Sequence, residues 1–232
     1  MLVVILGPYR SGTSLVSGIA KSLGGWSGDE DLRPPNISNP TGFNEEPRLD
    51  NLCKSLIDIP SHRFNHDPRE IIPKLMEWET SMRESLPPDS TFIFAKNPLL
   101  CLICDEFMAS WKETKIIAVS RPISHSIRSV KSRKWGWSDD EIEETLKKMI
   151  DSRRQFIDRN EHLFIDYDQI IDKPEESVDL IIDFLGIECT ENGRKSAIGI
   201  VNPILRRSDK ERSIFWRFFT SLYARLISWR RT

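Results

Sequence analysis

The sequence predicts an α/β protein: a central parallel sheet of the P-loop type, flanked by helices, with a C-terminal amphipathic helix. Three observations carry this. Short apolar, β-branched runs recur along the 232 residues, separated by segments of helical periodicity. The first run leads straight into a glycine-bounded loop and then a helix, Gly7-Pro-Tyr-Arg-Ser-Gly12-Thr13-Ser14. The runs at 91–95 and 115–119 also end in polar segments, where an open parallel sheet presents its ligands. At this length one α/β domain suffices; it is assigned to 1–209, and the amphipathic helix to 210–232.

The elements follow in order. Leu2-Val-Val-Ile-Leu6 is apolar throughout, as a strand buried on both faces requires. Leu15, Val16, Ile19, Ala20 and Leu23 then share one helical face, and Gly24-Gly25 is the stop. From Trp26 to Leu49 the chain is rich in Gly, Pro, Asn and Asp and reads as one long loop of the kind that carries function, anchored by Trp26 and Phe43. Residues 51–86 read as helical pieces with turns at Pro60 and Pro68, closed by Pro87-Pro88. Thr91–Ala95 is a second strand followed by Lys96-Asn97-Pro98, and Leu99–Trp111 reads as a single helix. Lys115–Val119 is a third strand, ending in Ser120-Arg121-Pro122 with a helix beyond. Ser138-Asp-Asp-Glu141 is a capping box that opens a long polar helix. Leu163–Ile165 is a fourth strand, with Asp166-Tyr167-Asp168 behind it. Pro174 opens a helix with Val178, Ile181, Ile182 and Leu185 as its core face and Gly186 as its stop.

Composition bounds the function classes. The formal net charge of −2 conceals an asymmetry: from 194 to 232, ten Lys/Arg face two Asp/Glu, so the rest of the chain is net acidic. That pattern suits a local anionic partner, a phosphate or a membrane surface, and no nucleic-acid partner is expected. No signal peptide and no spanning helix are expected, and four cysteines in an ordinary composition fit a reducing cytoplasm. Cys101-x-x-Cys104 lies in an apolar stretch without a second ligand pair, so it reads as core, and no metal site is expected.

The loop after the first strand has the geometry of a phosphate cradle. Backbone N–H groups at a helix N-terminus point at an anion, and glycine lets the backbone approach it. A nucleoside-triphosphate loop needs Lys after the second glycine; here that position is Thr13, and the loop's only cation is Arg10. An anion site is therefore expected, and an ordinary ATPase or GTPase is disfavoured.

Pro8-Tyr-Arg-Ser-Gly-Thr-Ser14 resembles the 5′-phosphosulfate loop of sulfotransferases that use PAPS (3′-phosphoadenosine-5′-phosphosulfate). Val119-Ser-Arg121, with Ser129 eight residues after the arginine, resembles the same family's 3′-phosphate motif. Asp31–Glu45, with Asn-Pro-x-Gly-Phe-x-Glu inside it, and Phe164–Asp168 with Asp183-Phe-Leu-Gly186 resemble further segments of bacterial-type members. The likeness runs from residue 1 to about 188, and loosely over 203–207. It implies that Arg10, Ser11, Gly12, Thr13 and Ser14 hold the 5′ end of the cofactor, Arg121 and Ser129 the 3′-phosphate, and Tyr167 the adenine. Arg10 and Lys96 would serve the leaving and sulfuryl oxygens.

The general base is Glu45 by first choice and Glu30 by second, with His62, His66 and His125 as further candidates. The Lys-Thr-His triplet of cytosolic small-molecule enzymes is replaced here by Lys96-Asn97-Pro98, which speaks against a His base. The resemblance implies PAPS as donor, adenosine 3′,5′-bisphosphate as product, no metal, and a small-molecule, sugar or lipid acceptor. Trp26, Phe43, Trp135 and Trp137 are placed to stack on an acceptor. An atypical P-loop kinase and a non-catalytic nucleotide-binding adaptor at a membrane are the competing readings. Between 213 and 231, Phe215, Phe218, Phe219, Leu222, Leu226 and Trp229 recur at helical spacing, against Arg on the other side and at the end. This segment docks on the core, or holds the protein peripherally at the inner membrane face. The sequence sets no oligomeric state.

Overall fold

Strand β1, Leu2–Leu6, is buried at all five positions, as its unbroken apolar run requires. The computed structural model describes residues 1–28, 42–58, 61, 63–64, 67–133 and 135–201. Glu30, His62, His66, the segment 203–207 and the helix expected at 213–231 lie outside the described residues, as does the boundary at 209/210.

In chain order the elements are β1, α1 (Thr13–Ser22), β2 (Gly25–Trp26), α2 (Pro47–Leu56), β3 (Ile57–Asp58), β4 (Arg63–Phe64), α3 (Pro68–Glu84), β5 (Phe92–Lys96), a 3-10 turn (Pro98–Leu102), α4 (Cys104–Ser110), β6 (Thr114–Ser120), α5 (Ile123–Lys131), α6 (Asp139–Ile157), β7 (His162–Asp166), α7 (Tyr167–Asp172), α8 (Pro174–Leu185) and α9 (Glu191–Ile200). Among the described residues the main sheet has the order β2-β5-β1-β6-β7, and every pairing is parallel. Ile5 pairs with Lys96 and Leu6 with Ala118, so β5, β1 and β6 end at nearly the same level.

Side chains alternate across the sheet and create two cores. Leu2, Val4, Leu6, Ile93, Ala95, Ile116 and Ala118 face a core completed by α2, α3, α4 and α6, with Trp78, Phe107 and Trp111 its largest members. Val3, Ile5, Phe92, Phe94, Ile117 and Val119 face a core completed by α1, α7, α8 and α9. Lys115 Nζ binds the last carbonyls of α8, on Phe184 (2.6 Å) and Leu185 (3.1 Å), and so ties that helix end to the sheet. Among the described residues no helix is long and apolar enough to cross a membrane.

The parallel sheet, the four expected strands and the Ser138–Glu141 capping box are as the sequence predicts. Three readings change. The loop expected to reach Leu49 ends at Glu46, which caps α2 by accepting from Leu49 N, with Pro47 at the first helical position. The helix expected over Leu99–Trp111 is split at Ile103 (φ −129°, ψ 36°) into the 3-10 turn and α4. Gly25–Trp26 and the β3–β4 hairpin are two-residue strands, too short for a period-2 pattern to mark.

Glu46 also accepts from the indole Nε1 of Trp78 at 2.8 Å, so one carboxylate serves a helix cap and a buried aromatic donor. Glu46→Ala is expected to cost about 2–4 kcal/mol, the sum of a lost cap and an orphaned buried N–H. Urea unfolding measures it; a loss below about 1 kcal/mol would show that both groups find other partners.

Candidate active site

The site grows from the ends of three parallel strands. Beyond β1 the loop Gly7–Gly12 turns back through two left-handed residues, Arg10 (φ 67°) and Gly12 (φ 105°), and delivers Thr13 and Ser14 to the first turn of α1. Gly12 is obligatory on two counts. Its φ suits glycine, and a Cβ there would overlap the Tyr167 ring. A Cβ on Gly7 would overlap Ser11 Oγ and lie 2.7 Å from the Thr13 methyl. Ser11 is fully buried and its Oγ has no hydrogen-bond partner. A buried hydroxyl left unpaired beside backbone N–H groups at a helix start is a donor suited to an anion.

The second motif meets the first. Arg10 Nε donates to Ser129 Oγ at 3.0 Å, across 119 residues of chain, and Ser126 Oγ approaches Arg10 O at 3.5 Å. Both serines lie on the buried side of α5. Arg121 follows β6, and its guanidinium carbon stands 4.5 Å from the centre of the Tyr167 ring, a cation–π contact. The Arg121 Nε is buried without a hydrogen-bond partner. Tyr167, only 8% exposed at the start of α7, is thus wedged between Gly12 and Arg121. Asp166 fixes the start of that helix, since Oδ1 accepts from Asp168 N and Oδ2 from Ser120 Oγ.

The third strand end carries a buried ion pair. Lys96, the last residue of β5, is 3% exposed, and its Nζ lies 2.6 Å from Glu45 Oε1. It also reaches Phe43 O (3.1 Å) and Ser14 Oγ (3.3 Å). A carboxylate, a carbonyl and a hydroxyl around the ammonium group are what make burying this charge tolerable. Glu45 is held in place by its neighbour Asn44, whose left-handed backbone (φ 50°) turns the chain and whose Nδ2 donates to Ser17 Oγ at 3.0 Å. Ser17 in turn donates to Ser14 O. Asn97 Nδ2 holds Asp50 Oδ1 at 2.9 Å just behind.

Tyr9 joins this centre to the outside. Burial pushes its phenol far above the usual range, and the Glu45 and Asp50 carboxylates add to the shift. Its ring meets Trp135 at 5.4 Å and Trp137 at 6.1 Å, edge to face, and Trp135 is 45% exposed. Of the sequence candidates, Arg10, Ser11, Gly12, Thr13, Ser14, Glu45, Lys96, Arg121, Ser129 and Tyr167 therefore gather at one edge of the sheet. His125 stands in the first turn of α5, with its Nδ1 buried and unpartnered. Sequence reasoning missed Asn44 and Ser17. Asn after Gly-Phe is a fair mark of a left-handed turn; nothing local marks a buried serine as a tether.

A profile of the sulfotransferase family matches residues 3–191. Solved structures share the fold. A sulfotransferase of Mycobacterium tuberculosis H37Rv is 13% identical, with 84% of this chain and 70% of that chain covered and a TM-score of 0.54. The sulfotransferase domain from the curacin biosynthetic pathway is 15% identical, with coverage of 97% and 96% and a TM-score of 0.54. The sulfotransferase domain of the Synechococcus PCC 7002 olefin synthase is 17% identical, with coverage of 98% and 94% and a TM-score of 0.56. At these identities the likeness is one of fold. No curated protein matches the chain.

The Lys96–Glu45 pair makes a stability prediction. Lys96→Met leaves the carboxylate buried and uncompensated and is expected to cost about 3 kcal/mol or more. Adding Glu45→Gln should recover a large part of it. Urea unfolding of the three proteins checks this; a double variant no more stable than Lys96→Met would show that the pair is not coupled.

Proposed function

We propose that this chain, which belongs to the sulfotransferase family, moves a sulfuryl group from PAPS to a hydroxyl or amine of a small-molecule, sugar or lipid acceptor. The observation that most supports this is the Arg10–Ser129 hydrogen bond. It joins the loop after β1 to α5, so that a 5′-anion cradle and a 3′-phosphate grip share one edge of the sheet. A bisphosphorylated nucleotide needs both.

The residues present fit such a ligand. Gly7 and Gly12 let the loop close tightly on Ser11, Thr13 and the Tyr167 ring. Ser11 Oγ and Arg121 Nε are buried donors without protein partners. Ser11–Ser14 and Arg10 would hold the 5′ end, Arg121 and Ser129 the 3′-phosphate, and Tyr167, already stacked on Arg121, would border the adenine. When bound, PAPS supplies an activated sulfuryl group. Charge in such a transfer gathers on peripheral oxygens, so positioning and cationic donors carry most of the catalysis.

Glu45 is the proposed base. Its ion pair with Lys96 keeps an acceptor carboxylate beside Ser14. With the donor bound, Glu45 would take the proton of the acceptor oxygen as that oxygen bonds to sulfur and the bond from sulfur to the 5′-phosphate oxygen breaks. Protonation would neutralise the carboxylate that pairs with Lys96, so that the ammonium could turn toward the departing oxygen. The aromatic wall of Tyr9, Trp135 and Trp137, which begins at half-exposed Trp135, would guide the acceptor in.

Two measurements test the reading. Calorimetric titration should show tighter binding of adenosine 3′,5′-bisphosphate than of AMP or ATP. Arg121→Ala should lose about 1.5–3 kcal/mol of that preference, the worth of a charge-assisted hydrogen bond. Equal affinity for AMP and the bisphosphate would overturn the assignment, and preference for ATP would favour a kinase. In turnover with labelled PAPS and a panel of sugar, lipid and phenolic acceptors, Glu45→Gln should lower the rate by roughly a hundredfold or more at near-constant bisphosphate affinity. A normal rate in that variant would move the base to Glu30 or a histidine.

A further inference from the structure

Helix α6 carries an arginine on its buried stripe. Ile142, Leu146, Met149, Arg153 and Phe156 follow one another at helical spacing, and all are buried. Arg153 is 5% exposed. Its Nη1 donates to Val119 O at 2.6 Å, its Nε is buried without a partner, and its guanidinium carbon lies 5.9 Å from the Phe164 ring centre. Among the described residues it has no ion pair. The other buried cation among the described residues, Lys96, has Glu45, and the half-buried Arg121 lies on an aromatic face. A buried guanidinium resting on one carbonyl is costly, and such a cost persists where something else needs the charge.

Its place says what that is. Val119 O, which Arg153 holds, lies 3.0 Å from where a Cβ on Gly7 would stand. The Cys101 thiol, pushed up to about 11 by burial, is drawn back by the Arg153 charge and by the Gly7 N–H. Arg153 and Gly7 thus bracket the same small volume under the start of the cradle. Leu6, Cys101 and Cys104 belong to the apolar core on this face of the sheet. A charge in such surroundings is weakly screened and acts over several ångströms.

We infer that Arg153 is a buried counter-charge for the anion held in the Gly7–Ser14 cradle, acting from behind the loop as a positioning residue without touching the ligand. The inference rests on the cofactor reading above, because that reading supplies the anion, a 5′-phosphate and the sulfuryl group it bears. A competing, purely structural role is that Arg153 fixes the end of β6 and with it Arg121 two residues on. The two roles load different ends of the nucleotide.

The test uses the full chain and four proteins: wild type, Arg153→Lys, which keeps the charge, and Arg153→Gln and Arg153→Met, which do not. Gln retains a donor for Val119 O. Each is titrated with adenosine 3′,5′-bisphosphate and with adenosine 3′-monophosphate, and its melting temperature is followed against sulfate. The neutral variants should lose on the order of tenfold or more in affinity for the bisphosphate and stay near wild type for the 3′-monophosphate. Lys should restore most of the loss. Sulfate should raise the melting temperature of wild type and Lys more than that of Gln and Met. Equal losses for both nucleotides, a Lys variant no better than Gln, or two neutral variants that do not fold would each assign Arg153 to structure and overturn the inference. Should wild type bind neither nucleotide, the cofactor reading falls, and sulfate alone decides: a response lost in Gln and Met upholds the counter-charge, and a response retained overturns it.

Discussion

Parallel pairing of β5, β1 and β6 is the constraint on which the rest depends. A parallel ladder sends all carboxyl ends to one edge of the sheet, and the pairings of Ile5 with Lys96 and Leu6 with Ala118 bring three of them level. Gly7, Lys96 and Arg121 are residues just at or beyond those ends, so three segments far apart in sequence are brought to one edge, where contacts such as Lys96–Ser14 and Arg10–Ser129 can form. The two cores on either face keep that register, because a slip of one residue would turn Val3 and Ile5 to the wrong side.

Charge in the site is arranged by depth. Deepest in, Lys96 and Glu45 form a pair whose third and fourth partners, Phe43 O and Ser14 Oγ, come from the same loop and helix that they link. Further along the edge, Arg10 Nε donates to a serine hydroxyl, and the Arg121 guanidinium lies against the face of the Tyr167 ring. A buried carboxylate beside an ammonium is chemistry that can move a proton, and guanidinium groups are donors that suit an anion. Tyr167 separates the two arginine-bearing segments and is fitted to both, which explains why Gly12 has no room for a side chain.

The strands and their order of appearance were legible because apolar runs on both faces of a parallel sheet leave a strong mark. The cradle was legible because glycine, Thr13 and Ser14 stand where a helix must begin. Less legible was everything set by packing. Ile103 breaks a helix that its own periodicity would continue, and no residue type at that position marks the break. Glu46 reads as one more loop charge until Trp78, distant in sequence, supplies the N–H that makes it a buried anchor. Arg153 sits on the apolar stripe of α6, and a charge at that spacing is a visible anomaly, but its significance depends on Val119 and Gly7, which only the fold brings to it.

The Ser17 tether has a mechanical side. Asn44 holds Ser17, Ser17 holds Ser14, Ser14 holds Lys96, and Arg10 holds Ser129, so the segment carrying Glu45, the start of α1, the end of β5 and α5 are knotted into a single stiff frame. Trp135 and Trp137, between α5 and α6, meet that frame through rings: both lie edge to face on Tyr9, with Trp135 half out in solvent. Displacing the segment that carries Glu45 would therefore load hydrogen bonds to β5 and to α1 together, so the frame yields as a unit or not at all.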